Sequence, residues 1–178
     1  MKNGRVFLRV EVGEMTKVLL GIAVVAFCTF CGYTFAKKYR RRKNFFVKMS
    51  AFNEGFLNEI SYRKRPLNVF VQSYAQSGEF GAFSAFFMQG LGSATAMEEC
   101  KNKLAETGCF SSDEQAFIIE YFSSLGKGDS LTQKQYFTAI KSSLNEYMDR
   151  AKADYMRYGK LYIQLGFLCG LTILILII

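Results

Sequence analysis

Apolar positions in this chain fall into two patterns: unbroken runs near the ends, and stripes in gaps of three and four between them. Residues 18–35, VLLGIAVVAFCTFCGYTF, and residues 161–178, LYIQLGFLCGLTILILII, are each 18 residues without a charge. At about 1.5 Å per residue such a run spans roughly 27 Å, close to the ~30 Å hydrocarbon core of a bilayer. Both are expected to be transmembrane helices. A secretory signal peptide is the rival for the first, with Lys17 in its positive region. The length of the run and the KKYRRRK after it, in place of a small-residue cleavage site, favour a retained helix.

From Asp129 to Ile178 the chain reads as a single long helix. Its polar half carries the stripe Phe137, Ile140, Leu144, Met148, Ala151, Tyr155, Tyr158, with Lys134, Lys141, Asn145, Asp149, Arg150 and Lys152 between. The stripe is expected to pack on a soluble domain while its back faces water. Residues 39–63 give a first domain helix, with Phe45, Met49, Phe52, Phe56, Leu57 and Ile60 on its apolar face. Pro66 suits the first turn of a second, lined by Leu67, Phe70, Val71 and Tyr74. A very aromatic third helix carries Phe80, Phe83, Phe86, Phe87 and Leu91 and ends at Gly90, Gly92 and Ser93. A fourth, over 95–106, buries Met97, Cys100 and Leu104 and stops at Gly108. Ser112 with Gln115 reads as a capping box for a fifth, lined by Phe117, Ile118, Tyr121, Phe122 and Leu125. In the turn LGKGDSLTQ, Gly126 and Gly128 end that helix, Asp129 or Ser130 caps the next, and Gln133 is placed to reach back. The aromatic stripes are core rather than a ligand pocket. The fold class is therefore all-α: a helical bundle over residues 37–160, flanked by membrane helices at 15–36 and 161–178.

Residues 1–14 have mixed charge and no helical period, and Met15 stands directly before the apolar run, so translation is expected to start at Met15. Retention of Lys2 in the native protein would overturn that. Gly166 and Gly170 form a GxxxG, and Gly21 and Gly32 lie close to one face, a pattern that lets membrane helices approach closely.

The chain has 178 residues, a formal net charge of +8 and a pI of about 9.3. The excess charge sits beside the apolar runs: Lys37, Lys38, Arg40, Arg41, Arg42 and Lys43 after the first, and Arg150, Lys152, Arg157 and Lys160 before the second. Juxtamembrane cations of this kind mark the cytoplasmic side and attract anionic lipid at about 1 kcal/mol each. Both runs thus put the domain in the cytoplasm and the termini on the far side. A nucleic-acid adaptor using the same cations is a weaker reading, because lipid competes for them, and no nucleic acid is expected as a partner.

With no histidine, the chain has neither Ser-His-Asp nor Cys-His catalysis, nor any histidine metal site. Cys28 and Cys31 have CxxC spacing inside an apolar run, where thiolate character is opposed. GKGDS lacks the GxxxxGK[ST] pattern and a preceding strand, so it is not a phosphate loop. A small membrane enzyme would need paired carboxylates, and Glu98 and Glu99 diverge by about 100° on a helix. No catalytic residue, metal or cofactor is expected.

Three stretches, NEISYRKRPLNVF, SSLGKGDSLTQKQ and GKLYIQLGFLCGLTILILII, carry a likeness in order and spacing. From Met15 onward the chain resembles stage III sporulation protein AB, a family in the membrane channel between mother cell and forespore of endospore-forming bacteria. It departs from that family in lacking a tryptophan near Glu99 and Cys100 and in having glycine at position 128. The resemblance implies a non-catalytic scaffold in the mother-cell membrane around the forespore, with a domain like those of secretion-system inner-membrane platform proteins. Its implied partners are a cytoplasmic secretion-type ATPase, other stage III channel subunits, membrane lipids and further copies of the chain in a homo-oligomer. The docking surface is expected at the corner Tyr62, Arg65, Pro66, Leu67 together with Leu125, Gly126, Lys127, Asp129 and Gln133. Helix-end geometry alone is the competing role for these residues, and charge reversal at Arg65 and Lys127 is the test.

Overall fold

The three-and-four spacing is realised as helix along nearly the whole chain. The structure, a computed structural model, describes residues 3–63, 65–89 and 94–177, with side chains from Leu19 onward except at 63, 89, 94–97 and 177; no strand occurs among them. Helix α1 runs Asn3–Asn58 and widens into a π-turn, Glu59–Arg63. Then come α2 (Leu67–Ser73), α3 (Glu79–Gln89), α4 (Ala94–Thr107), α5 (Ser112–Ser123) and α6 (Ser130–Asp154). A second π-turn, Tyr155–Gly159, leads into α7 (Lys160–Ile177). The expected ends at Gly90, Leu91, Gly92 and Ser93 and the Met97 side chain lie outside the described residues.

Two expectations change. Residues 3–14 are helical despite their mixed pattern: extending an existing helix fixes one residue per hydrogen bond gained, and no proline interrupts it. The long terminal helix is continuous but not uniformly α, because it is wound wider at Tyr155–Gly159. There the Tyr155 ring lies over Gly159, 2.9 Å from where a Cβ would stand.

The chain divides into two compact units, Met1–Lys37 with Tyr155–Ile178, and Lys38–Asp154. In the first, the opening part of α1 packs on α7 through glycine. A Cβ on Gly32 would stand 2.4 Å from the Tyr162 carbonyl oxygen, and one on Gly170 2.8 Å from Val25 Cα. Gly166 lies against the Cys28 carbonyl in the same way. The outward faces are apolar, with Leu20, Phe27, Phe30, Leu168 and Ile175 exposed. Thr29, Thr34 and Thr172 each donate to the carbonyl four residues back, at 2.8–2.9 Å, which satisfies a hydroxyl without water. The two long apolar helices near the termini are candidate membrane spans.

In the second unit the later part of α1 is the central element. Phe45, Phe46, Met49, Phe52 and Phe56 are all buried, and the aromatic stripes of α3 and α5 close on them. Phe122 has ring contacts with Phe52, Phe80, Phe83 and Phe87 at 5.2–6.2 Å. α6 adds Phe137, Leu144 and Ala151, the buried positions of its stripe, while Ile140 and Met148 are half-buried beside them. One polar relay crosses this core. Tyr121 Oη donates to Asn53 Oδ1 at 3.2 Å, and Asn53 Nδ2 donates to the Phe137 carbonyl at 3.2 Å. Burial pushes the Tyr121 hydroxyl well above its ordinary pKa, keeping it a neutral donor.

Candidate docking surface

The corner after α1 is built around a carboxylate. Glu59, only 4 % exposed, accepts from the Arg65 backbone N at 3.1 Å and from Nε at 2.9 Å, while its other oxygen accepts from a terminal guanidinium nitrogen at 2.6 Å. These bonds hold the Arg65 pKa above its ordinary value. Pro66 then sits one position before the first turn of α2, with its carbonyl accepting from Val69 and Phe70. Leu67 is the first helical residue.

The LGKGDSLTQ turn meets this corner. Leu125 is fully buried, and Gly126 and Gly128 have φ of +76° and +87°, a left-handed backbone that L side chains rarely adopt. A Cβ on Gly126 would stand 3.0 Å from Leu67 Cδ2. Asp129 caps α6: its Oδ1 accepts from Thr132 N at 3.3 Å, and bonding to Thr132 lowers its pKa. Gln133 reaches back as far as the Lys127 carbonyl, 3.3 Å away.

Between them lies a cleft of about 240 Å³, walled by Phe56, Ile60, Leu67, Phe70, Gly126 and Gln133, with the Glu59–Arg65 pair at its edge. A second, more polar hollow of about 600 Å³ shares Glu59, Arg65 and Phe70 and extends to Asn58, Tyr62 and Ser73. Tyr62 is 83 % exposed and Leu131 63 %. Of the nine expected docking residues, Arg65, Leu67, Gly126 and Gln133 line the first cleft and Tyr62 the second hollow. Leu125 belongs to the core, Pro66 and Asp129 to helix starts, and Lys127 is exposed. Glu59 and Ser130 were not legible as members. Glu59 is six residues from Arg65, a separation with no helical meaning, and only the fold joins them.

The basic run after the first apolar segment is not uniform. Lys37, Lys38, Arg40 and Arg41 are exposed, with Arg41 Nε 2.9 Å from Glu79, and Lys43 is half-buried. Arg42, expected among the membrane-surface cations, is instead drawn into the second unit. Its Nε donates to both oxygens of Glu114 at 2.8 and 3.0 Å, and Nη1 donates to Asp154 Oδ2 at 2.5 Å. Burial opposes its charge, but the bonds and attraction from Glu114 and Asp154 prevail and raise its pKa. Glu114, 2 % exposed, also accepts from Ser111 N at 2.9 Å, while Ser111 Oγ accepts from Glu114 N at 3.3 Å. The α5 capping box is therefore Ser111 with Glu114, one residue before the expected Ser112 and Gln115. Among the described residues no group of His, Cys, Asp or Glu is arranged to hold a metal ion.

A family model for stage III sporulation protein AB matches residues 17–178, nearly the whole chain. The chain belongs to the stage III sporulation protein AB family. The match takes in both apolar helices and all of the Lys38–Asp154 unit, so the cleft lies within the part that defines the family member. No curated protein and no solved structure matches the chain.

Proposed function

We propose that this family member is a non-catalytic platform in the sporulation channel between mother cell and forespore. In this reading the two apolar helices anchor it in the mother-cell membrane around the forespore. The Lys38–Asp154 unit lies in the cytoplasm, by the position of Lys37, Lys38, Arg40 and Arg41 beside the first span. There it docks a secretion-type ATPase and couples it to other channel subunits. The observation that carries the docking role is the cleft itself: two stretches some sixty residues apart in sequence converge on one recess walled by Phe56, Ile60, Leu67, Phe70 and Gly126, with exposed Tyr62 in the adjoining hollow. A recess of this kind takes an anchoring side chain from a partner.

Co-purification of the intact protein from sporulating-cell membranes in mild detergent, followed by mass spectrometry, tests the platform reading. Recovery of the ATPase with other channel subunits supports it; recovery alone, or with lipid-synthesis enzymes, refutes it. Lys127→Glu is the suitable charge reversal for the docking face. Arg65→Glu is not, because it would strand the buried Glu59 carboxylate beside a second negative charge and disturb folding.

A further inference from the structure

We infer that the segment docking in this cleft is acidic and extended, with one aliphatic anchor side chain; the inference rests on the docking role proposed above. The cleft, about 240 Å³ in all with Phe56, Ile60, Leu67 and Phe70 among its walls, has room for one such side chain rather than a whole helix face. The polar hollow that continues from it past the Glu59–Arg65 pair offers the Asn58 amide and the Tyr62 hydroxyl to a peptide backbone. An occupant spanning both lobes is therefore extended.

The charge follows from what the rim leaves unmatched. Arg65 is neutralised by Glu59. Asp129 contributes a negative charge, already engaged in capping α6. Against it stand Lys127 and Lys134, both exposed, which follow the lining residues Gly126 and Gln133 and have no acidic partner among the described residues. Lys134 lies one helical turn beyond Ser130 on the wall of the cleft, hence on the same face. Beside the cleft, whose own two charges are the Glu59–Arg65 pair, the exposed cations Lys127 and Lys134 thus outnumber the acid Asp129, and the complement is a carboxylate-bearing segment flanking an apolar residue.

The test measures binding of the purified secretion-type ATPase to the full chain in detergent micelles across a salt series. Lys127→Glu with Lys134→Glu is compared with Lys127→Arg with Lys134→Arg, and Ser130→Trp fills the apolar lobe. Circular dichroism confirms folding of each variant. The expected result is a loss on the order of tenfold for the Glu pair, wild-type binding for the Arg pair, a comparable loss for Ser130→Trp, and weakening with salt. A synthetic peptide with one leucine among aspartates should compete, and its lysine counterpart should not. If Ser130→Trp weakens binding while the Glu pair and salt do not, the cleft still docks the ATPase and the acidic assignment is overturned. If none of the variants matters, or the ATPase does not bind, the docking role fails and the inference with it. Self-association of the chain abolished by Ser130→Trp, with ATPase binding unchanged, would put a second copy in the cleft and overturn both.

Discussion

Arg42→Ala tests how the second unit holds its ends together. The guanidinium joins α1 to the start of α5 through Glu114 and to the end of α6 through Asp154. Removing it leaves Glu114 at 2 % exposure with a charge and no cation. Breaking a buried pair in this way costs about 3–5 kcal/mol. The lower end applies here, about 3 kcal/mol, because Glu114 keeps its bond from Ser111 N, and Asp154 is exposed enough for water to take over its share. For a unit of this size that is a fall in melting temperature of roughly 12 °C. The assay is thermal unfolding of the full chain in mild detergent, followed by near-UV circular dichroism, where the packed Phe and Tyr rings report. Arg42→Met with Glu114→Gln removes both charges but keeps an acceptor for Ser111 N, and should recover most of the loss. A single variant that melts within about 4 °C of the parent, roughly 1 kcal/mol, would refute the stranded-charge account. So would a double variant no better than the single.

Tyr121→Phe should cost about 1–2 kcal/mol, read by the same melt, because it leaves Asn53 Oδ1 buried without its donor. In the glycine-packed unit, Gly32→Ala should cost about 1–3 kcal/mol in detergent unfolding, since the new methyl meets the Tyr162 backbone. Gly21→Ala should cost much less, as its methyl meets only the end of the flexible Leu174 side chain. The Asp129 cap should show in acid. Its pKa is lowered in the folded state, so its stabilisation is complete above the ordinary value of 3.8 and is lost as pH falls through the lower folded value. Asp129→Ala is therefore expected to be less stable than the parent at neutral pH, with the gap closing below that value, whereas Asp129→Asn should melt without that acid step.

The helices and the core were legible because each stripe repeats within a few residues. Phe45 through Phe56, and Phe137 through Ala151, name their own buried faces by spacing alone. The convergence of the Tyr62–Leu67 corner with the Gly126 turn was legible only as two separate punctuated stretches. What escaped were the pairings that a one-dimensional pattern does not encode. Tandem Ser111 and Ser112 offer two cap registers, and the choice of Ser111 goes with Glu114, whose carboxylate is shared with Arg42, 72 residues earlier. Arg42 itself sits in a run of cations and carries no mark that sets it apart. The π-turns are equally silent, since an added residue per turn changes no residue type.

The separation between Arg42 and Asp154, 112 positions, fixes an order of events during synthesis. At roughly 5–20 residues per second, a ribosome needs on the order of ten seconds after making Arg42 before Asp154 exists. For much of that interval the aromatic residues of α1 exist without Phe137, Leu144 and Ala151 to cover them. Apolar surface exposed in this way during synthesis is the kind that aggregates or is held by chaperones.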